Sequence, residues 1–211
     1  MLAKKRAHEE YTIMIQNNSK DLILAIDQGT TGTTALLVNH KLQTIAVHNT
    51  EFKQIYPKPG WVEHNLDDIW ASALKSIRAV LKKPSYSKRI LAIGITNQRE
   101  TSCFWDHKTS EPLANAIVWQ DRRTADLCLK LKKHERDIQN RTGLLLDPYF
   151  SGTKVHWILK NNSKVARASS RGNCAFGTID SYLVHKLTQG EIHATEPSNA
   201  SRTLLFNIQT D

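Results

Sequence analysis

Four short stretches carry the residue types that chemistry needs. The first is Asp27-Gln28-Gly29-Thr30-Thr31-Gly32-Thr33. An acid that closes an apolar run can hold a divalent cation directly or through water. The glycines after it let the backbone come close to a phosphate, whose oxygens the backbone N–H groups and the Thr30, Thr31 and Thr33 hydroxyls can bond. A plain hairpin turn has the same composition, so the stretch alone leaves both readings open. The second is Asn97-Gln98-Arg99-Glu100, placed directly after the apolar run Leu91–Ile95. Ligands of α/β sheets bind outside strand carboxyl ends. There an arginine and a glutamate can grip a polyol, the carboxylate accepting from hydroxyls and the guanidinium donating to oxygen. A surface ion pair is the alternative.

The third stretch is Trp119-Gln120-Asp121-Arg122-Arg123. Trp119 offers a flat wall for a carbon skeleton, or else packs in the core with the two arginines as surface charges. The fourth is Asp147 to Lys154, DPYFSGTK. Its Asp-Pro pair forces a turn, and Tyr149 either reaches a hydroxylated ligand or is a buried aromatic of a structural loop. The motifs H-E-x-x-H, G-x-S-x-G and G-x-x-x-x-G-K-[ST] are absent, and the nine histidines show no metal-ligand spacing.

These stretches need elements to hold them. Leu22–Ile26 is a continuous apolar run and reads as a buried strand, followed by a hairpin partner over Thr34–Val38 and a third strand over Leu42–Phe52. Gln54–His64, with two prolines and a glycine, reads as a loop. Asn65 caps a helix over Leu66–Lys82 with a stripe of Ile69, Ala73, Leu74, Ile77, Val80 and Leu81. Ile90–Ile95, Thr101–Trp105 and Ala116–Trp119 read as strands. Asp121, Ser151 and Thr178 read as caps of helices reaching Lys133, Leu159 and Leu187, the last stopped by Gly190. Three strands as a meander and then crossover helices with returning strands give an α/β fold, a mixed β-sheet with helices on both faces.

Composition bounds the rest. With 211 residues, 40% apolar and 23% charged, the chain suits one α/β domain or at most two small ones, not a disordered or membrane-spanning protein. The formal charge is +9, but the basic residues are scattered and lack interleaved aromatics, so nucleic acid is not an expected partner. Cys103, Cys128 and Cys174 are an odd number at long spacings, which fits reduced core thiols and a cytoplasmic location. Residues 1–20 read as a flexible tail, with translation starting at Met1 or Met14, and 21–211 as the domain.

The blocks LAIDQGTTGTTALLV, FKQIYPKPGWVEHN, IGITNQRETSCFW, NAIVWQDRRTA, TGLLLDPYFSGTKVHWIL, FGTIDSYLVHKLTQG and TEPSNASRTLLFNIQT follow one another in this order. Together they resemble the glycerol kinases of the FGGY carbohydrate kinase family. The resemblance implies a ribonuclease H-like, actin-like ATPase domain and ATP-dependent phosphorylation of glycerol to glycerol 3-phosphate. It implies Mg²⁺ at Asp27 and nucleotide phosphates on Thr30, Thr31, Gly32 and Thr33. Glycerol would be bonded by Arg99, Glu100 and Tyr149 and would pack on Trp119. Other sugar kinases of the family resemble G-Q-M-H-G where this chain has Asn97–Thr101, which favours glycerol.

The resemblance also implies a second, adenine-binding domain and a general-base aspartate beyond Asp211. On that reading the chain is incomplete and acts with a separate C-terminal half or as an oligomer. Two departures stand out. Thr34 lies where the family usually has an arginine, and Gly32 where a serine or threonine is common; both bear on ATP affinity. The competing readings are an inactive binding or regulatory remnant of such a kinase, and a ribonuclease H-like nuclease using Asp27, Glu100 and Asp180. The nuclease would need three or four clustered carboxylates.

Overall fold

The computed structural model describes residues 21–210, so the expected tail at 1–20 lies outside the described residues. The described chain forms two compact units. One comprises residues 21–51 and 71–96, the other 52–70 and the residues from 97 onward.

The first unit is built on a four-stranded sheet of order β3-β2-β1-β5. Strands β1 (Leu22–Gln28), β2 (Gly32–Asn39) and β3 (Thr44–Glu51) form the expected antiparallel meander. Strand β5 (Ile90–Asn97) starts beside β1, where the Asp21 and Leu22 amides both donate to the Arg89 carbonyl at 3.0 Å. The two therefore run the same way, and the sheet is mixed, in an α/β arrangement with helices. Alternation sets the inward face: Leu22, Leu24 and Ile26 of β1 and Ala35 and Leu37 of β2 are buried.

Helix α1 (Leu66–Val80) starts at Asn65, whose Oδ1 accepts from the Asp67 and Asp68 amides at 2.7 and 3.3 Å, the expected cap. Its buried face departs from the apolar stripe: Ser72 and Ser76 are buried, while Leu74 and Ile77 are half-buried. Both serines are hydrogen-bonded to the meander, which removes the penalty for burying them. The short helix α2 (Pro84–Lys88) follows and leads into β5.

In the second unit β4 (Glu63–His64) pairs β7 (Ala116–Ile117), and β6 (Cys103–Asp106) pairs β8 (Cys174–Gly177), all antiparallel. The stretch 54–64 is thus not all loop. Phe104, Leu113, Ile117, Ile158 and Val165 form its apolar core. The unit's helices are α3 (Ala125–Leu131), α4 (Glu135–Thr142), α5 (Ser151–Asn161), α6 (Ser163–Ser170), α7 (Ile179–Leu187) and the short α8 (Pro197–Ala200), of which α5 and α6 pack on this core through Val155, Trp157 and Ala168. Helices α4 and α6 hold few apolar residues and strand β8 has only four residues, and none of the three was anticipated.

Three expected caps act differently. Asp121 lies four residues ahead of α3 and clamps other groups. Ser151 is the first residue of α5, behind Phe150, and its hydroxyl donates to a distant carbonyl. Thr178 stands at the cap of α7, yet its hydroxyl donates to the Asp180 carboxylate instead of accepting from an amide. No helix among the described residues is long and apolar enough to cross a membrane.

Candidate functional site

In the first unit, β1 delivers Asp27 to an exposed position one residue before the turn. The turn is closed by the Gly29 amide donating to the Gly32 carbonyl at 2.9 Å. Thr31 is exposed at its tip. Thr33 faces the other way: it is fully buried, and its hydroxyl lies 2.7 Å from that of Ser72 on α1. Ser76 donates to the Thr33 carbonyl at 2.8 Å and meets the Thr50 hydroxyl at 2.9 Å. The Thr33 side chain therefore anchors the turn to the helix, while the tip at Thr31 stays exposed. Asp27 is an exposed carboxylate that could hold Mg²⁺, which keeps several waters and takes one or two protein carboxylates.

The two departures, Gly32 and Thr34, meet at one residue. Asn49 lies across from Thr34 in register and donates from Nδ2 to the Thr34 hydroxyl at 2.9 Å. A Cβ on Gly32 would come within 3.2 Å of the Asn49 amide and 3.0 Å of the Thr50 carbonyl oxygen.

In the second unit Glu100 and Tyr149 come together around an unanticipated partner, Arg202, with Trp119 beside Tyr149. Glu100 is buried and has a left-handed backbone, φ 65°, a strained conformation for a non-glycine residue. Its carbonyl accepts from Ser151 Oγ at 2.9 Å, and its Oε1 accepts from Arg202 Nε at 2.6 Å. The Arg202 guanidinium lies over the rings of Phe150 and Tyr149, 4.9 and 5.8 Å from their centroids. The Tyr149 ring in turn stands 5.4 Å from that of Trp119, which is half-buried.

Arg99 does not form the expected pair with Glu100. It is exposed, and among the described residues it makes no hydrogen bond or ion pair. Glu100 is oriented by Arg202 instead, 102 residues away in sequence. No short-range pattern could have revealed that partner.

A buried relay also escaped the sequence reading. Gln54 Oε1 bonds His64 Nε2, and His64 Nδ1 faces Gln98 Nε2 at 3.2 Å. Gln98 Oε1 accepts from the Thr101 hydroxyl at 3.1 Å, which accepts from the Trp119 amide at 3.3 Å. Burial pushes the His64 pKa down to about 4. A neutral ring donates from Nε2 to Gln54 and accepts at Nδ1 from Gln98, the roles the relay needs. The chain from Gln54 to Trp119 thereby holds the 97–101 segment and the tryptophan in fixed relation.

Asp121 and Arg123 are structural here. Asp121 Oδ2 accepts from the Val62 amide at 2.7 Å, and Arg123 binds both Asp121 oxygens and Glu63 at 2.7–2.9 Å. The Arg123 guanidinium stacks 3.8 Å over Trp61. It is not the surface charge that its place in the sequence suggested. Among the described residues no group of three or more histidines, cysteines and carboxylates is arranged to hold a metal ion. Burial raises the Cys103, Cys128 and Cys174 thiol pKa values, which fits inert core residues.

Residues 22–211 match the N-terminal domain of the FGGY family of carbohydrate kinases. The chain belongs to that family. It is 53% identical over 193 residues to the glycerol kinase of Halothermothrix orenii, and 53% identical over 192 residues to that of Listeria monocytogenes. Each alignment covers 90% of this chain and 39% of the relative, so the chain spans well under half the length of the curated relatives it matches. Among solved structures, the glycerol kinase of Plasmodium falciparum with ADP superposes with a TM-score of 0.83 at 36% identity, covering 90% of this chain and 38% of that one. A gluconate kinase from Lactobacillus acidophilus superposes at 0.77 with 21% identity over 90% of this chain and 37% of its own, which speaks for the shared FGGY fold alone.

Proposed function

We propose that this chain supplies the phosphate turn and the polyol site of an ATP-dependent glycerol kinase. In that reaction a glycerol oxygen bonds to the γ-phosphorus of ATP, the bond to the bridging oxygen breaks, and the hydroxyl proton passes to a base outside the residues assigned here. Asp27 would hold Mg²⁺, which neutralises developing phosphate charge. Thr30, Thr31 and the backbone at Gly32 would bond the phosphates, with Thr33 fixing the turn. Glu100 would accept from a glycerol hydroxyl, Arg99 and the Tyr149 hydroxyl would donate to glycerol oxygens, and Trp119 would cover its carbons. A cytoplasmic setting, where ATP and glycerol are both available, goes with this reading.

The observation that carries the reading is the gathering of Glu100, Tyr149 and Trp119 in one place, linked through Arg202 and ring contacts. Identity of 53% to glycerol kinases supports glycerol as the polyol. The test is a chimera in which residues 22–210 replace the corresponding segment of the Listeria monocytogenes glycerol kinase. Glycerol-dependent formation of glycerol 3-phosphate is expected, and Glu100→Ala should remove most of it. A folded chimera that neither binds glycerol nor makes product would sink the reading.

A further inference from the structure

Lys154 carries a buried amino group that the roles above leave without a task. It lies in the first turn of α5 and is fully buried, which is rare for a lysine. Its Nζ donates to the Tyr149 carbonyl at 2.7 Å. On the other side of the same residue, the Tyr149 amide donates to Asp147 Oδ1 at 2.8 Å. Both backbone polar groups of Tyr149 are thus held by side chains of its own loop and helix. The ring is the part left to meet Trp119 and Arg202.

We infer that Lys154 is a positioning residue of the polyol site: its amino group pins the Tyr149 carbonyl and so fixes where the Tyr149 ring and hydroxyl stand against Trp119 and Arg202. This rests on the polyol reading proposed above.

The surrounding charges explain why a carbonyl, not a carboxylate, is the partner. Three carboxylates face Lys154: Glu100, Asp121 and Asp147. Each already has an arginine: Arg202 on Glu100, Arg123 on Asp121, and Arg122 on Asp147 at 3.0 Å. Burial outweighs the pull of the three acids, Arg123 adds to it, and the Lys154 pKa falls to about 7. A neutral amine still donates to a carbonyl, so the Tyr149 bond survives the titration. An apolar residue would fill the same space without leaving a charge to bury. Only a long side chain ending in a donor reaches back from α5 to the carbonyl five positions earlier.

The test uses the chain itself, titrated with glycerol, in a double-mutant cycle of Lys154→Met and Tyr149→Ala. Lys154→Met is expected to weaken glycerol binding by about tenfold, the scale of one lost hydrogen bond at a site. In the Tyr149→Ala background it should weaken binding no further. Losses that multiply in the double variant would overturn the inference, since a general loss of packing would act whether or not the tyrosine is there. A second measurement needs no variant. With ¹³C at the Tyr149 carbonyl, its resonance should move with pH at the same midpoint as the Lys154 amine. A carbonyl silent through that titration also overturns the inference, even if Lys154→Met fails to fold. If the wild-type chain by itself does not bind glycerol, the cycle is run in the chimera above, whose failure to bind sinks the polyol reading, and the carbonyl measurement still decides whether Lys154 holds Tyr149.

Discussion

The turn at 27–33 and the cluster around Glu100 are built in opposite ways. The turn is contiguous. Seven neighbouring residues make it, its closing bond joins Gly29 to Gly32, and one face of it is left exposed. The cluster draws on Gln54, His64, Gln98, Glu100, Trp119, Tyr149 and Arg202, and most of its polar atoms are committed to one another. On the roles proposed above, a ligand site made of backbone in a tight hairpin needs little support beyond its anchor. A site made of side chains, with a buried carboxylate at its centre, needs partners from everywhere. Damage to the cluster should therefore register as lost stability as well as lost binding, and damage to the tip of the turn as lost binding alone.

The largest effect is expected at Arg202. Arg202→Met strands the buried Glu100 carboxylate and should lower unfolding stability by about 3 kcal/mol in urea titrations. Thr31→Ala, at the exposed tip of the turn, should leave the urea midpoint unchanged. Equal losses from the two would erase the contrast.

His64 should give an effect close behind. Its ordinary pKa is 6.5 and burial lowers it to about 4. The unfolded chain then binds a proton that the folded chain refuses, so the stability of the neutral buried ring is complete above pH 6.5 and is lost as pH falls toward 4. The difference of 6.5 − 4 = 2.5 units corresponds to about 3 kcal/mol. Melting curves from pH 7 to 4 on wild type and His64→Gln measure it, and parallel curves would show that the relay does not depend on a neutral imidazole.

The residues proposed to face the polyol come next. Glu100→Ala should weaken glycerol binding about 10- to 100-fold, because a hydroxyl loses its acceptor in a buried site. Arg99→Ala should weaken it less and leave stability unaltered, since Arg99 is exposed and unpaired among the described residues. Lys132→Ala, which removes a surface pair with Glu135, should change neither. If Arg99→Ala alters the melt, the arginine has a structural partner.

A smaller loss, in stability, is expected at Gly32. Gly32→Ser places a Cβ 3.0 Å from the Thr50 carbonyl oxygen and should cost about 1 kcal/mol. Pairing it with Asn49→Ala relieves only the side-chain crowding, so a partial recovery in calorimetry is expected. Full recovery would mean that the backbone contact yields freely.

Local patterns were enough for some of this molecule. The apolar run of β1 with its glycine-bounded turn, the meander after it, the Asn65 cap and the alternation that buries Leu22, Leu24 and Ile26 all follow from interactions between near neighbours. So do the family and its α/β fold, because seven blocks in order leave little freedom. Periodicity failed where polar residues took buried places: Ser72 and Ser76 on α1, and helices α4 and α6, whose apolar residues are sparse. Only the tertiary structure decided who partners whom. Asp121 became a clamp for Val62 and Arg123 instead of a helix cap, Ser151 a donor to Glu100, and Thr33 an anchor to Ser72. Glu100 took Arg202 instead of its neighbour Arg99. Hydrogen bonds and ion pairs are short-ranged, so they join groups that the fold brings within about 3 Å, whatever their separation along the chain. A sequence shows which groups must find partners when buried, and the packing of the whole chain determines which ones they find.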